Sequence, residues 1–345
     1  MNRVTIKDIA RYLNINPSTV SRALRNHPDV SNKVKESVVQ LADKLGYKPN
    51  FAAINLRKGK SGTIGLIIPE IANYFFPNVV KAVEEIVHDR GYNLLILQSN
   101  DSLDREIQNA EICARLGVEG ILISLTKESS DIEHFQELMY NGTPIVFFDK
   151  IIHDTVAYKV TIPGEQAAFD AVNFLLSKNK KAKRIAGILG DERLSITQDR
   201  LSGFNRALRE HQMKQVPGMV NYAHNSVEAG DIFEELWSST KRPECLFLMS
   251  DEILEGVMKR VYKMKLNLPH EMKMICMSDG FLPSLYNFDF PYIKTSGFDL
   301  GHAAADLLFK LMDNKPMSTQ TYFIETPLVD PDYIAPLSMS LNANI

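Results

Sequence analysis

The sequence predicts an all-α helix-turn-helix head followed by a two-lobed α/β body built on parallel sheets. Three observations carry this. Short, capped amphipathic helices crowd the first 48 positions. From residue 63 onward, continuous apolar runs of strand length alternate with amphipathic helical stretches, the pattern of parallel sheets covered on both faces. The charge is also divided: residues 1–60 hold twelve Lys/Arg against four acids, a net +8, while the remainder holds 27 Lys/Arg against 38 Asp/Glu, a net −11. A basic head on an acidic body points to a polyanionic partner for the head alone.

Composition narrows the class. At 345 residues and 45% hydrophobic content, the chain can bury more than one core. No charged segment leads into an apolar run at the N-terminus, so no signal peptide is expected. The most apolar runs, such as Ile64 to Pro69, are far shorter than a membrane span. Cys113, Cys245 and Cys276 are odd in number, widely spaced and outside any CxxC pair. That fits core residues in a reducing cytoplasm, with no metal site and no cofactor expected.

In the head, Thr5-Ile6-Lys7-Asp8 reads as a capping box opening a helix to Leu13, with Ile6, Ile9, Ala10 and Leu13 as its apolar stripe. Asn14 tolerates the sharp turn that follows. Asn16 reads as an N-cap and Pro17 suits the first helical position. Val20, Ala23 and Leu24 then share one face, and Ser18, Thr19, Ser21 and Arg22 point elsewhere. Short hydroxyl side chains beside an arginine suit base edges in a major groove. A third helix, opened by Ser31, carries Val34, Val38, Leu41 and Leu45 and stops at Gly46. Phe51–Leu56 is too short for a stable isolated helix, and Lys58-Gly59-Lys60-Ser61-Gly62 reads as a flexible basic linker.

Val4-Thr5-Ile6-Lys7-Asp8-Ile9-Ala10, Ser18-Thr19-Val20-Ser21-Arg22 and Gly46-Tyr47-Lys48-Pro49-Asn50 together resemble the lactose-repressor (LacI/GalR) family of bacterial transcription regulators. The resemblance implies a body like the periplasmic sugar-binding proteins, whose chain crosses between lobes three times, here placed near 162, 292 and 324. The implied domains are 1–48 (DNA-binding), 49–61 (hinge helix and linker), 62–162 with 293–323 (first lobe) and 163–292 with 324–345 (second lobe). It implies DNA contacts at Thr5, Pro17, Ser18, Thr19, Ser21, Arg22, Asn50, Ala53 and Leu56. Leu56 would be an apolar wedge in the minor groove. Asn14 stands where the family usually has Gly. Pro17 lacks a donor at a position that contacts bases in relatives, which shifts readout onto Ser18, Thr19 and Arg22.

In the body, ligands of parallel sheets bind beyond the carboxyl ends of the strands. That rule selects Asn73-Tyr74-Phe75-Phe76, Asp149, Ser250-Asp251 and Ser278-Asp279, together with Asp199-Arg200 ahead of a long helix. Carboxylates and an arginine bind hydroxyls by charge-assisted hydrogen bonds, and aromatic faces cover the C–H face of a sugar ring. Asp251 reads as the cap of the helix starting at Glu252. The resemblance marks Tyr74, Phe75, Asp149, Arg200, Ser250 and Asp279 as effector contacts, with Ser250 where Asn is usual and Thr295 where Gln is usual. No dinucleotide fingerprint, P-loop, nucleophile elbow or HExxH is present, so no catalysis is expected. The expected protein is a cytoplasmic, homodimeric regulator, a repressor of a palindromic operator, controlled by a small effector such as a carbohydrate. The alternatives are a purine-type effector, a solute-binding protein with no DNA role, or an α/β enzyme fused to a DNA-binding head.

Overall fold

The computed structural model describes residues 4–47, 61–72, 75–268, 270–286, 291–317 and 319–330. The chain divides into two compact units, Met1–Ser61 and Gly62–Ile345.

The first unit contains α1 (Ile6–Leu13), α2 (Pro17–Ala23) and α3 (Asn32–Lys44). The capping box of α1 is formed: Thr5 N–H donates to Asp8 Oδ2 at 2.9 Å, and Asp8 N–H donates to Thr5 Oγ1 at 3.4 Å. Asn14 takes the left-handed conformation at φ 52°, which makes the abrupt turn into α2. Asn16 and Ser31 have the extended backbone of N-caps, but neither side chain makes a capping hydrogen bond, contrary to the expectation for both. Ile9, Val20 and Val38 are fully buried, one from each helix, and with Ala10, Ala23, Val30 and Ala42 form the small core.

The second unit holds two six-stranded sheets. The first has the order β11-β5-β4-β3-β1-β2, from β1 (Thr63–Ile68), β2 (Asn93–Gln98), β3 (Gly120–Ile123), β4 (Ile145–Phe148), β5 (Tyr158–Thr161) and β11 (Thr321–Phe323). The second has the order β12-β10-β9-β8-β6-β7, from β6 (Ile185–Leu189), β7 (Val220–Tyr222), β8 (Cys245–Leu248), β9 (Lys273–Ser278), β10 (Tyr292–Lys294) and β12 (Leu328–Val329). Every pairing is parallel except β10 with β12. The central strands β3, β4, β6 and β8 are buried at every position, because helices cover both faces. The three cysteines are buried and free.

The covering helices are α4 (Phe75–Asp89), α5 (Leu103–Leu116), the short α6 (Gln136–Tyr140), α7 (Gly164–Lys178), α8 (Ser195–Glu210), α9 (Ser226–Ser238), α10 (Asp251–Met264) and α11 (Gly297–Met312). α11 packs on α4 and on strands of the first sheet, and α7 packs on α8 and strands of the second. The chain therefore crosses between lobes after β5, after β10 and after β11. The second crossing differs from the sequence expectation. Ile293 pairs with Met277 and Lys294 with Ser278, so residues 293 and 294 belong to the second lobe.

Two further expectations shift by helix boundaries. α8 begins at Ser195, so Arg200 lies inside the helix, not ahead of it. α10 is capped by Ser250, whose Oγ accepts from Ile253 N–H at 3.4 Å, and not by Asp251.

Candidate functional site

On α2, Pro17, Ser18 and Arg22 are exposed, and Thr19 and Ser21 are half-buried. Val20 and Ala23 hold the opposite face in the core. Ser21 Oγ accepts from Arg25 Nη2 at 3.0 Å. Among the described residues, Ser18, Thr19 and Arg22 make no side-chain hydrogen bond or ion pair, so their polar atoms remain available to base edges. Thr5 is exposed, and its hydroxyl donates to Asp8 Oδ2 at 2.7 Å. Asn50, Ala53 and Leu56 lie outside the described residues.

In the body, a cavity of about 370 Å³ lies at the carboxyl ends of both sheets, lined by Phe75, Asp149, Arg200, Ser250, Asp251 and Thr295 among others. Four of the expected effector residues (Phe75, Asp149, Arg200 and Ser250) therefore meet in one place. Tyr74 lies outside the described residues. Asp279 is not among the described residues lining the cavity. Its carboxylate is turned to the first lobe, accepting from Asn78 Nδ2 and, at 3.0 Å, from Gly297 N–H.

Asp149 follows β4 in the left-handed region, at φ 58°, which turns the chain out of the sheet. Ser124 Oγ donates to its Oδ2 at 3.3 Å. Burial pushes the Asp149 carboxyl above the usual range, opposed by the charges of Lys150 and Arg200. Arg200 is 5% exposed. Its Nη1 donates to the Met249 carbonyl at 2.8 Å, and its buried Nε has no partner among the described residues. Burial lowers the guanidinium to about 10, opposed by Asp149, Asp199 and Asp251. A buried N–H without an acceptor costs roughly 1–3 kcal/mol, and a ligand oxygen can remove that cost.

Asp251 accepts from Asp279 N–H at 2.8 Å and from the Ser278 hydroxyl. Burial raises its carboxyl as well. Phe75 and Phe76 form the aromatic wall, with ring centroids 5.5 Å apart and planes at 82°.

Sequence reasoning passed over Asp191, Lys150, His224 and Glu252, which also line the cavity. Asp191 follows β6, so the strand-end rule reaches it when that strand is included. Arg193 grips it bidentately, Nε to Oδ1 at 2.9 Å and Nη2 to Oδ2 at 2.6 Å, and holds its carboxyl down at about 2. Lys150 Nζ pairs with Asp101 at 3.2 Å. Among the described residues, Asp191, Glu192 and His224 bring ligand atoms within 4.8 Å of one another, but Arg193 already supplies the cation for Asp191. No described helix is long and apolar enough to cross a membrane.

The chain is similar to known proteins along most of its length. Residues 5–50 match the family of bacterial regulatory proteins of the lacI type, and residues 174–330 match the periplasmic binding protein-like domain. Catabolite control protein A of Priestia megaterium is 28% identical over 318 residues, covering 92% of this chain and 95% of that protein. The ribose operon repressor of Halalkalibacterium halodurans is 27% identical over 330 residues, covering 94% and 95%. Among solved structures, the lac repressor dimer bound to operator and an anti-inducer superposes with a TM-score of 0.84 at 19% identity, covering 95% of this chain and 98% of that one. A regulator named CelR, in complex with cellobiose, gives 0.68 at 20% identity with the same coverages. A lacI-type head, a periplasmic-binding-protein-like body and regulators matched along nearly their whole length place this chain in the LacI family, as a DNA-binding transcription regulator with an effector-binding domain.

Proposed function

We propose that this regulator is a cytoplasmic homodimeric repressor of a palindromic operator, controlled by a carbohydrate held between the two lobes of its body. The observation that carries the effector reading is the buried Arg200, whose Nε lacks an acceptor among the described residues, beside the half-buried Asp149 carboxylate and the Phe75–Phe76 wall. A donor, an acceptor and an aromatic face converging in one small cavity match the hydroxyls and C–H face of a sugar. The volume of about 370 Å³ is at the small end of ligand sites, in keeping with a mono- or disaccharide. Relatives named as ribose operon repressors, and a neighbouring structure holding cellobiose, support the same class. The dimer rests on the way helix-turn-helix readers pair half-sites one helical turn apart. The cleft acts by binding, not by turnover.

The test is an operator titration of the full chain with and without ribose, maltose and cellobiose. A sugar that binds one lobe arrangement better shifts operator affinity by a coupling of ~1–3 kcal/mol. Arg200→Ala is expected to keep operator binding and lose the sugar response. A normal response in that variant would overturn the assignment of this cleft.

A further inference from the structure

A second concavity lies at the opposite edge of the second sheet, where β6, β8 and β9 begin. It has a volume of about 790 Å³ and is lined by residues 177–182, Arg184, 242–245 and 270–273. Its cations are Lys178, Lys180, Lys181, Arg184, Arg242 and Lys273, against two acids, Glu244 and Glu271. This is a local reversal of sign on a body whose net charge is −11. The reversal originates in one short stretch, Lys178-Asn179-Lys180-Lys181-Ala182-Lys183-Arg184, which links α7 to β6.

The two acids are already committed. The Glu244 carboxylate accepts from the Lys183 and Arg184 backbone N–H groups, at 2.5 and 2.9 Å, and from Arg184 Nη2 at 3.1 Å. Glu271 accepts from Asn267 N–H at 2.6 Å. The carbonyl end of α7, which would repel an anion, is covered by Asn179: its Nδ2 donates to the Leu175 carbonyl at 2.7 Å and its N–H to the Leu176 carbonyl. Arg242 is braced, lying 4.1 Å over the Trp237 ring and donating to the Trp237 carbonyl at 3.1 Å. Lys180, Lys181 and Lys273 are exposed and form no ion pair among the described residues.

From this arrangement we propose that the groove is a second ligand site, for a small molecule carrying adjacent phosphate groups. Several unpaired ammonium groups in one concavity repel one another until a multiply charged anion enters, and phosphate oxygens accept from lysine and arginine together. A neutral sugar gains nothing from such a site, so this ligand is distinct from the one in the lobe cleft.

Calorimetric titration of the full chain with inorganic pyrophosphate, ATP and adenosine tests the proposal, with Lys180→Gln/Lys181→Gln/Lys273→Gln as the variant. Pyrophosphate is expected to bind saturably, one per chain, and at least tenfold more weakly to the variant, while operator binding persists. ATP binding more tightly than pyrophosphate would identify a nucleotide. Equal affinity with no competition by adenosine would identify recognition by the phosphates alone. Both outcomes support the site. Unchanged pyrophosphate affinity in the variant would place binding elsewhere, in the basic head, and overturn the proposal. So would a variant that weakens random-DNA binding in a protein that takes up no pyrophosphate, since the groove would then be a nucleic-acid contact.

Discussion

Asn78, on α4 of the first lobe, donates its side-chain amide to the carboxylate of Asp279, which follows β9 of the second. The other oxygen of that carboxylate accepts the first N–H of α11, from Gly297 at 3.0 Å. Asp279 therefore joins the lobes, at a position where the sequence suggested an effector contact. Asp279→Ala should cost about 2–3 kcal/mol in urea denaturation, because a half-buried N–H and amide lose a charged acceptor. Asn78→Ala should cost less, since Gly297 keeps its partner. A full-strength sugar response in Asp279→Ala would show that the bridge supports stability without setting the lobe angle.

The Asp191–Arg193 pair predicts a specific acid dependence. The Asp191 carboxyl is held at about 2, against an ordinary value of 3.8. A depressed carboxylate contributes stability that is present above its ordinary value and lost as pH falls through the folded value. The shift corresponds to about 2.5 kcal/mol, and solvent screening of the exposed Arg193 head reduces this to about 1–2 kcal/mol. Asp191→Asn should lose that amount at neutral pH and show a shallower acid limb between those two values, read from urea melts across pH.

Gly203 marks a close approach of α8 to α7. A Cβ there would overlap the Glu165 carbonyl oxygen and lie 2.8 Å from Phe169 N. Gly203→Ala should destabilise by roughly 1–3 kcal/mol through overpacking. It should also weaken sugar binding, because Arg200 stands one turn earlier on the same helix. Thermal unfolding and sugar titration on the same sample separate the two effects.

In the head, Arg22→Ala should lose about 1–3 kcal/mol of affinity for operator DNA and little for random DNA. Equal losses on both, measured by fluorescence anisotropy at fixed salt, would make Arg22 a phosphate contact.

Leu56→Ala should weaken operator binding and DNA bending while sugar affinity of the free protein stays unchanged, if Leu56 wedges into the minor groove. Permuted-site gel shifts measure the bend.

What the sequence determined by itself is local or periodic. The capping box at Thr5 and Asp8, the turn at Asn14 and the apolar stripe through Val20 and Ala23 each depend on residues within a few positions of one another, so spacing suffices to read them. The alternation of apolar strands and amphipathic helices disclosed the parallel sheets, and the strand-end rule reached Phe75, Asp149 and Ser250. The tertiary structure alone decided which carboxylates face the cavity. Asp251 and Asp279 read alike at the ends of neighbouring strands, yet Asp251 lines the cleft and Asp279 turns to Asn78. It also decided that β10 stays with the second sheet, since Tyr292–Lys294 is held there by pairing with a strand 16 residues earlier in register. The burial of Arg200, its Nε left without a partner among the described residues, and the assembly of lysines around Glu244 depend on segments far apart in the chain. Spacing along the sequence carries no record of such contacts, because the energy that selects them comes from desolvation and charge pairing across the assembled lobes.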